Sequence, residues 1–518
     1  VARAAWKVLI WEPEFAYYVI VDAETGALLW RKNIAAHQTQ PDTYNVYANS
    51  TSMLKSLDAP GPMTPGIIDP NLRTQAPIQP RTNVTLVGNE APYTFNNNGW
   101  ITDGGNTTDG NAVEAGLDRV NPNGVDAGTT VTGANRVFNF NYNPGTADGT
   151  GDAPVSNTPA GCTQAALPMT DFQRGIITQL FYLTNRYHDE TYRLGFTEQA
   201  KNFQHDNFGR GALGNDRVSA EAQDCSGVNN ANFSTPSDGV RGRMQMYIFD
   251  GPAPDRDGSL DADVVVHELT HGLSNRLHGN GFGLSGNMAR GMGEGWSDFY
   301  AHALLSEPTD PINGIYTIGA YSTYLYTGAG FTVNYYFGIR RFPKAVMAFT
   351  GGPNNRPHNP LTFADIDSTR LNVNDGAYTP GFSTSAAQSD QVHNAGEVWS
   401  SALWEVRARL IARLGYETGN RKALQFVTNG MKLSPFNPTF LQARDAIVAA
   451  ALANGTPADA ADVWAGFAIR GMGFSAQVTV AGSNGSTRVV ESFDLPNVVQ
   501  TPDFILSDAT ATGEGRRS

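Results

Sequence analysis

Apolar and polar residues alternate in three short runs at the start of the chain: Trp6-Lys7-Val8-Leu9-Ile10, Tyr17-Tyr18-Val19-Ile20-Val21 and Ala27-Leu28-Leu29-Trp30. The pattern predicts strands, and Asp22-Ala23-Glu24-Thr25-Gly26 joins the last two as a hairpin. From about 41 to 165 the sequence is rich in Gly, Pro, Asn, Asp and Thr, with short β-like segments such as Thr82-Asn83-Val84-Thr85-Leu86-Val87 and Arg136-Val137-Phe138-Asn139-Phe140. Short strands and long surface loops follow from that composition. The period then changes. Ile176, Ile177, Leu180, Phe181 and Leu183 lie on one face of a helix over about 171–193, and Val265, Leu269 and Leu273 do the same in a later one. Asp261 and Asp263 stand in that helix's first turn, where negative charge suits the helix dipole.

Beyond 290 the chain is expected to be mainly helical, with amphipathic runs at about 395–414, 439–453 and 460–470. Gln477-Val478-Thr479-Val480 and Val489-Val490-Glu491-Ser492-Phe493 predict a last hairpin, and after Pro502 the composition is that of a tail or linker. No internal repeat suggests a solenoid. The fold class is therefore α+β: a β-rich N-terminal lobe over 41–275, a helical C-terminal lobe over 276–475, and a cleft between them. Residues 1–40 and 476–518 flank the two lobes. A chain of 518 residues exceeds what one core usually supports, so two lobes are a natural division.

Within the second helix, Val266-His267-Glu268-Leu269-Thr270-His271 places two imidazoles at i and i+4, on one face, with a carboxylate beside them. That spacing lets His267 and His271 close on a single zinc ion, and Glu268 is then adjacent to the metal without being a ligand. With nine histidines in the chain, such a match arises by chance on the order of once in a hundred chains of this length. Gly291-Met292-Gly293-Glu294-Gly295-Trp296-Ser297-Asp298 strengthens it. Glu294 supplies a third ligand of the carboxylate type and leaves a fourth position for water, as in a catalytic rather than a closed structural site. Asp298, one turn on, can accept the second ring N–H of a ligand histidine. A solvated acidic face is the plainer alternative for two acids at this spacing, but the surrounding Gly, Met, Trp, Phe and Tyr argue for burial.

Charged residues are 16% of the chain and the net charge is −13. An acidic surface excludes a nucleic-acid partner, which would require a basic patch, and no apolar run approaches the roughly 20 residues of a membrane span. The chain begins at Val1 without a signal peptide, so a processed or truncated N-terminus is expected. Cys162 and Cys225 are the only cysteines; an even pair points to a disulfide, with two separate buried thiols as the alternative. Their spacing does not suit zinc. Asp255-Arg256-Asp257-Gly258-Ser259-Leu260-Asp261 groups hard oxygen donors of the kind calcium takes, though not at EF-hand spacing.

In order along the chain, Thr43-Tyr44-Asn45-Val46-Tyr47, Tyr187-His188-Asp189, Leu194-Gly195-Phe196-Thr197-Glu198, Asn229-Asn230-Ala231-Asn232-Phe233, the segment from His271 to Leu277, Asn437-Pro438-Thr439-Phe440 and Arg470-Gly471-Met472-Gly473 resemble landmarks of the fungalysin metallopeptidases, thermolysin-like enzymes whose third zinc ligand is a glutamate. The resemblance implies a thermolysin-like two-lobed fold, one zinc per chain held by His267, His271 and Glu294, and secretion as a zymogen. Residues 1–40 then correspond to the C-terminal end of a propeptide, with a hairpin of the mature enzyme as the alternative. The natural cut is expected between about Ile34 and Tyr44.

By the same resemblance, Val392-His393-Asn394-Ala395-Gly396 carries the histidine that stabilises the oxyanion, so His393 is assigned that role. Thermolysin has an acid five residues before this histidine; here Gln388 stands there, and Asp390 is the candidate to orient His393. The strand after Asn230 and Ala231 resembles the edge against which an extended peptide is laid, making those two residues the substrate-binding candidates. The implied reaction is hydrolysis of protein or peptide substrates by zinc-activated water, with Glu268 as general base. A zinc aminopeptidase would need an acidic pocket for the substrate's amine, for which no motif is visible. A catalytically silent binding or adhesion protein on the same fold would be supported by loss of Glu268, which is present.

Overall fold

The computed structural model describes residues 4–11, 16–33, 38–69, 76–144, 166–250, 255–323, 334–369, 388–482 and 485–497. The alternating runs at the start form an antiparallel meander of β1 (Ala5–Trp11), β2 (Ala16–Asp22) and β3 (Leu28–Asn33). Asp22 Oδ1 accepts from the N–H groups of Glu24 and Thr25 and closes the turn, where Gly26 adopts φ 71°. This sheet has little core of its own. β1 is exposed throughout, and the continuous hydrophobic core begins only at Tyr44.

Two further sheets build the strand-rich half. β4 (Asp42–Val46) is central between antiparallel β5 (Thr82–Leu86) and parallel β7 (Val137–Phe138), and its Tyr44 ring, fully buried, stacks on Phe138 at 5.2 Å. The second sheet runs in the order β6 (Val113–Leu117), β8 (Val218–Ala222), β10 (Arg243–Met246), β9 (Ala231–Ser234). β6, β8 and β10 are parallel neighbours, and β9 is an antiparallel edge strand. A two-residue ladder joins β11 (Ile248–Phe249) to β12 (Arg256–Asp257). Against these sheets packs α1 (Asp171–Arg193), started by a capping box between Thr170 and Gln173, with Ile176, Ile177, Leu180, Phe181 and Leu183 all fully buried. Cys225, just past β8, is disulfide-bonded; Cys162 lies outside the described residues.

The helical half begins with α2 (Ala262–Leu277) and α3 (Asn287–Leu305), which pack on each other. After the four-residue α4 (Asn334–Phe337) come α5 (Val392–Leu414), α6 (Tyr416–Leu433), α7 (Phe440–Asn454) and α8 (Pro457–Ile469), then the hairpin β13 (Gln477–Val480) and β14 (Arg488–Val490). α3 and α5 cross closely because both carry glycine at the contact: a Cβ on Gly295 would lie 2.6 Å from the Gly396 carbonyl oxygen, and one on Gly396 would lie 2.6 Å from Glu294 Cβ. The expectation of a mainly helical chain after 290 fails for the described residues of 306–369. Pro308, Pro311, Pro343, Pro353, Pro357 and Pro360 break the helical register there, and short 3₁₀ turns and α4 are what remain. Among the described residues no helix is long and apolar enough to cross a membrane.

Candidate active site

α2 is the element that brings the two histidines together. It opens with Asp263 in its first turn, and its apolar positions Val265, Val266, Leu269 and Leu273 are buried, which pins the opposite face toward the cleft. His267 and His271 lie one turn apart on that face, their Nε2 atoms 3.1 Å from each other. Glu294, from the second turn of α3, reaches the same point: its Oε2 is 3.2 Å from His267 Nε2 and 3.7 Å from His271 Nε2. These three side chains form one of two groups among the described residues whose ligand atoms converge within 4.8 Å.

The donor set tests whether a metal belongs there. Glu294 Oε2 is buried and accepts no hydrogen bond, an expensive arrangement unless a cation faces it. His267 Nδ1 is 2.9 Å from Asp298 Oδ1 and, opposite a carboxylate, carries the proton; Nε2 is the atom left to face the cleft. Two imidazole nitrogens and one carboxylate oxygen, on a common centre and with the cleft open beside them, fit zinc in its catalytic form.

The charges around this centre favour a positive guest. Burial opposes protonation of His267, yet the hydrogen bond to Asp298 and the Glu294 carboxylate beside it push its pKa up to about 10. Burial likewise acts against the charge on Glu294, but His271 and His393 hold its carboxyl well below the usual range. Asp298, fully buried, is kept ionised against desolvation by Arg340, whose Nε and Nη2 donate to its two oxygens at 2.8 Å each, and by His267. Glu268 projects into the cleft from the next position on α2. Its burial pushes the carboxyl up to about 7, with His267 and Arg340 acting in the opposite direction.

The cleft has a volume of about 740 Å³. Its walls include the two histidines and three glutamates on α2, α3 and α5, the Asn229–Phe233 stretch with the β9 edge, and His393 with Gln391 at the start of α5. Asn230 and Ala231 both line it, Asn230 exposed and Ala231 the first residue of β9. Among the described residues β9 pairs only with β10, so its other edge carries backbone groups outside the sheet.

His393 is half exposed, with Nε2 3.5 Å from Glu294 Oε2. The expectation that Asp390 orients it is corrected. Asp390 accepts from the backbone N–H groups of Gly485 and Thr487, tying the start of α5 to the C-terminal hairpin. Gln391 does the orienting. Its Oε1 caps α5 by accepting from the N–H groups of His393 and Asn394, which leaves its Nε2 to donate to His393 Nδ1 at 2.9 Å. His393 Nδ1 is then an acceptor, and in the neutral ring Nε2 carries the hydrogen.

Two residues of this arrangement have no signal in the sequence. Arg340 comes from a Pro- and Gly-flanked segment with no motif, and Gln391 reads as an ordinary N-cap. Only the fold places them. The calcium expectation finds no gathering of ligands at Asp255–Asp261: Asp257 accepts from Ser259 N–H and Gln223 Nε2, and Asp261 Oδ2 accepts from Ser322 N–H, so the two carboxylates serve different partners.

Residues 72–476 match the fungalysin metallopeptidase (M36) family. Among relatives, an extracellular metalloproteinase (mep) of Aspergillus fumigatus is 37% identical over 406 residues, 75% of this chain and 55% of its own length. An extracellular metalloproteinase (MEP) of Pyricularia oryzae is 37% identical over 418 residues, 77% of this chain and 56% of its own. Extracellular metalloproteinase 3 of Trichophyton soudanense is 36% identical over 414 residues, 77% of this chain and 90% of its own. The chain thus spans about half the length of the first two relatives.

Proposed function

The chain belongs to the fungalysin family of metallopeptidases, and from that premise we propose that it is a secreted zinc endopeptidase that hydrolyses internal peptide bonds of proteins. The observation that carries this reading is the convergence of His267 and His271 Nε2 on a buried Glu294 oxygen that accepts no hydrogen bond. These three residues would hold one zinc ion, which supplies Lewis acidity: it makes water nucleophilic near neutral pH and polarises the scissile carbonyl. Asp298, held by Arg340, fixes the His267 tautomer and raises its basicity. Glu268 takes the proton from the attacking water and returns it to the leaving amine, a task to which a carboxyl with a pKa raised toward 7 is suited. His393 presents Nε2–H toward the cleft, where it can stabilise the charge that develops on the carbonyl oxygen. The peptide lies extended along β9 near Asn230 and Ala231, held through its backbone.

An aminopeptidase would need a free carboxylate for the substrate's amine. Glu397, the other cleft carboxylate among the described residues, is engaged by Arg341 through both its backbone N–H and its Nε. We further assign residues 1 to about 40 to the end of a propeptide. The test of the function is digestion of unfolded casein, followed by mass analysis with and without a chelator. Internal cuts that vanish with chelation and return with zinc are expected; single-residue trimming indicates an exopeptidase, and no cleavage at all a binding protein.

A further inference from the structure

A second set of ligand atoms lies outside the cleft. Asp118 follows directly on β6, Glu221 is in β8, and Asp224 lies just beyond it, so the parallel pairing of β6 and β8 delivers all three to one end of the sheet. Each is 2% exposed or less, and one ligand oxygen from each lies within 4.8 Å of the other two. The remaining capacity of each carboxylate is used locally: Asp118 Oδ2 accepts from Gly124 N–H at 2.9 Å, Glu221 Oε1 from Ser219 Oγ at 2.9 Å, and Asp224 Oδ1 from Ser226 N–H at 2.6 Å. Asp118 Oδ1 and Glu221 Oε2, both buried, accept no hydrogen bond. Burying such oxygens together is costly unless a positive charge faces them.

We propose that Asp118, Glu221 and Asp224 form a structural cation site, separate from the cleft, that takes calcium. All-carboxylate hard donors select calcium over zinc, and oxygens within 4.8 Å of one another can share an ion at the roughly 2.3–2.6 Å calcium prefers. Backbone carbonyls or water complete the shell. The position gives the ion a purpose. Asp224 opens the loop that becomes β9; Ser226 Oγ hydrogen-bonds with Tyr247 OH at 3.2 Å, and Asn232 Nδ2 of β9 donates to that same hydroxyl at 2.7 Å. The disulfide-bonded Cys225 lies between the ligand Asp224 and Ser226. The cation therefore anchors the root of the cleft's edge strand. This inference does not depend on the peptidase reading.

Thermal unfolding of the zinc-loaded full chain, stripped of calcium and titrated with calcium chloride, tests it. The wild type should show a saturable rise in Tm on the order of 5 °C, with one calcium bound per chain by equilibrium dialysis. In the D118N/E221Q variant that rise should disappear, while its Tm without calcium should equal or exceed that of the calcium-free wild type, because two buried like charges are gone. No rise in the wild type, or an equal rise in the variant, overturns the site. Should the variant not fold, wild-type crystals soaked in terbium chloride decide instead: an anomalous peak touching all three carboxylates supports the site, and its absence there overturns it.

Discussion

Glu268 is distinguished from its neighbours by what it lacks, a place among the converging ligand atoms. His267, His271 and Glu294 meet at one point, whereas Glu268 faces the cleft beside them. Glu268→Gln should therefore keep stoichiometric zinc by elemental analysis while kcat falls about 10²- to 10⁴-fold, the usual worth of a general base. Near wild-type turnover would remove Glu268 from the mechanism. The positive charge of Arg340 lowers the Glu268 pKa against the upward push of burial. Arg340→Met should raise that pKa, and because the base must be ionised to act, the acid limb of the kcat/KM profile should move to higher pH. The same variant frees Asp298 from two hydrogen bonds, and zinc affinity should weaken about 10- to 100-fold, read by competition with a chelator. An unmoved limb with unchanged affinity would leave Arg340 a purely structural residue. At this scale legibility follows sequence distance. His267, Glu268 and His271 are separated by helical spacing, so their common place at the cleft could be read from the chain alone, as could the approach of Glu294 and Asp298 from the next helix. Arg340 reaches Asp298 across 42 positions, and nothing local marks it. Asp390 was the expected partner of His393 because it is an acid nearby, yet its neighbour Gln391 holds that ring.

Among the elements, helices with clean periodicity were readable to within a few residues, α1 above all, which was expected over about 171–193 and spans Asp171–Arg193. α6 was not foreseen, and Gly419 and Gly430 explain why: glycines interrupt the apolar pattern where neighbouring helices press close. A Cβ on Gly419 would lie 2.5 Å from Ile411 Cα, and one on Gly430 would lie 2.4 Å from Ile447 Cγ1. Glycine used for close approach thus looks, in a sequence, like glycine used to end a helix. The crossing of α3 and α5 is the case with functional weight, since it sets how far Glu294 stands from α2. Gly396→Ala places a methyl against Glu294 Cβ and should destabilise the protein by about 1–3 kcal/mol, as overpacking does. Denaturant unfolding should report that loss, and zinc affinity should fall with it. Full stability with full affinity would show that the two helices can part without disturbing the site.

For the molecule as a whole, the strand-rich and helical halves were legible because a change of period separates them, while the order of strands in the sheets was not, since parallel pairing such as β6 with β8 joins segments about a hundred residues apart. The first sheet stands apart from both halves. Trp6, Trp11 and Leu28 are each more than half exposed, and among the described residues the continuous core takes nothing from β1, β2 or β3. Cleavage in the stretch Ala35-Ala36-His37-Gln38-Thr39-Gln40-Pro41-Asp42, of which 35–37 lie outside the described residues, should accordingly release the sheet with a change in Tm of no more than about 3 °C. N-terminal sequencing of active enzyme should find a new terminus between about 34 and 44; active, stable material still beginning at Val1 would make the segment part of the mature fold.

If a peptide binds as proposed, along the side of β9 that pairs with no strand among the described residues, a consequence follows for what can be digested. A cleft that recognises a peptide by completing a sheet admits one extended strand, and residues already paired within a folded substrate cannot offer their N–H and C=O groups to it. Selectivity then moves from the enzyme to its targets. Side-chain identity should then matter less than how often a segment of the target detaches from its own structure, and native proteins should be attacked in the order of their local opening equilibria, loosely held loops and termini long before any buried strand.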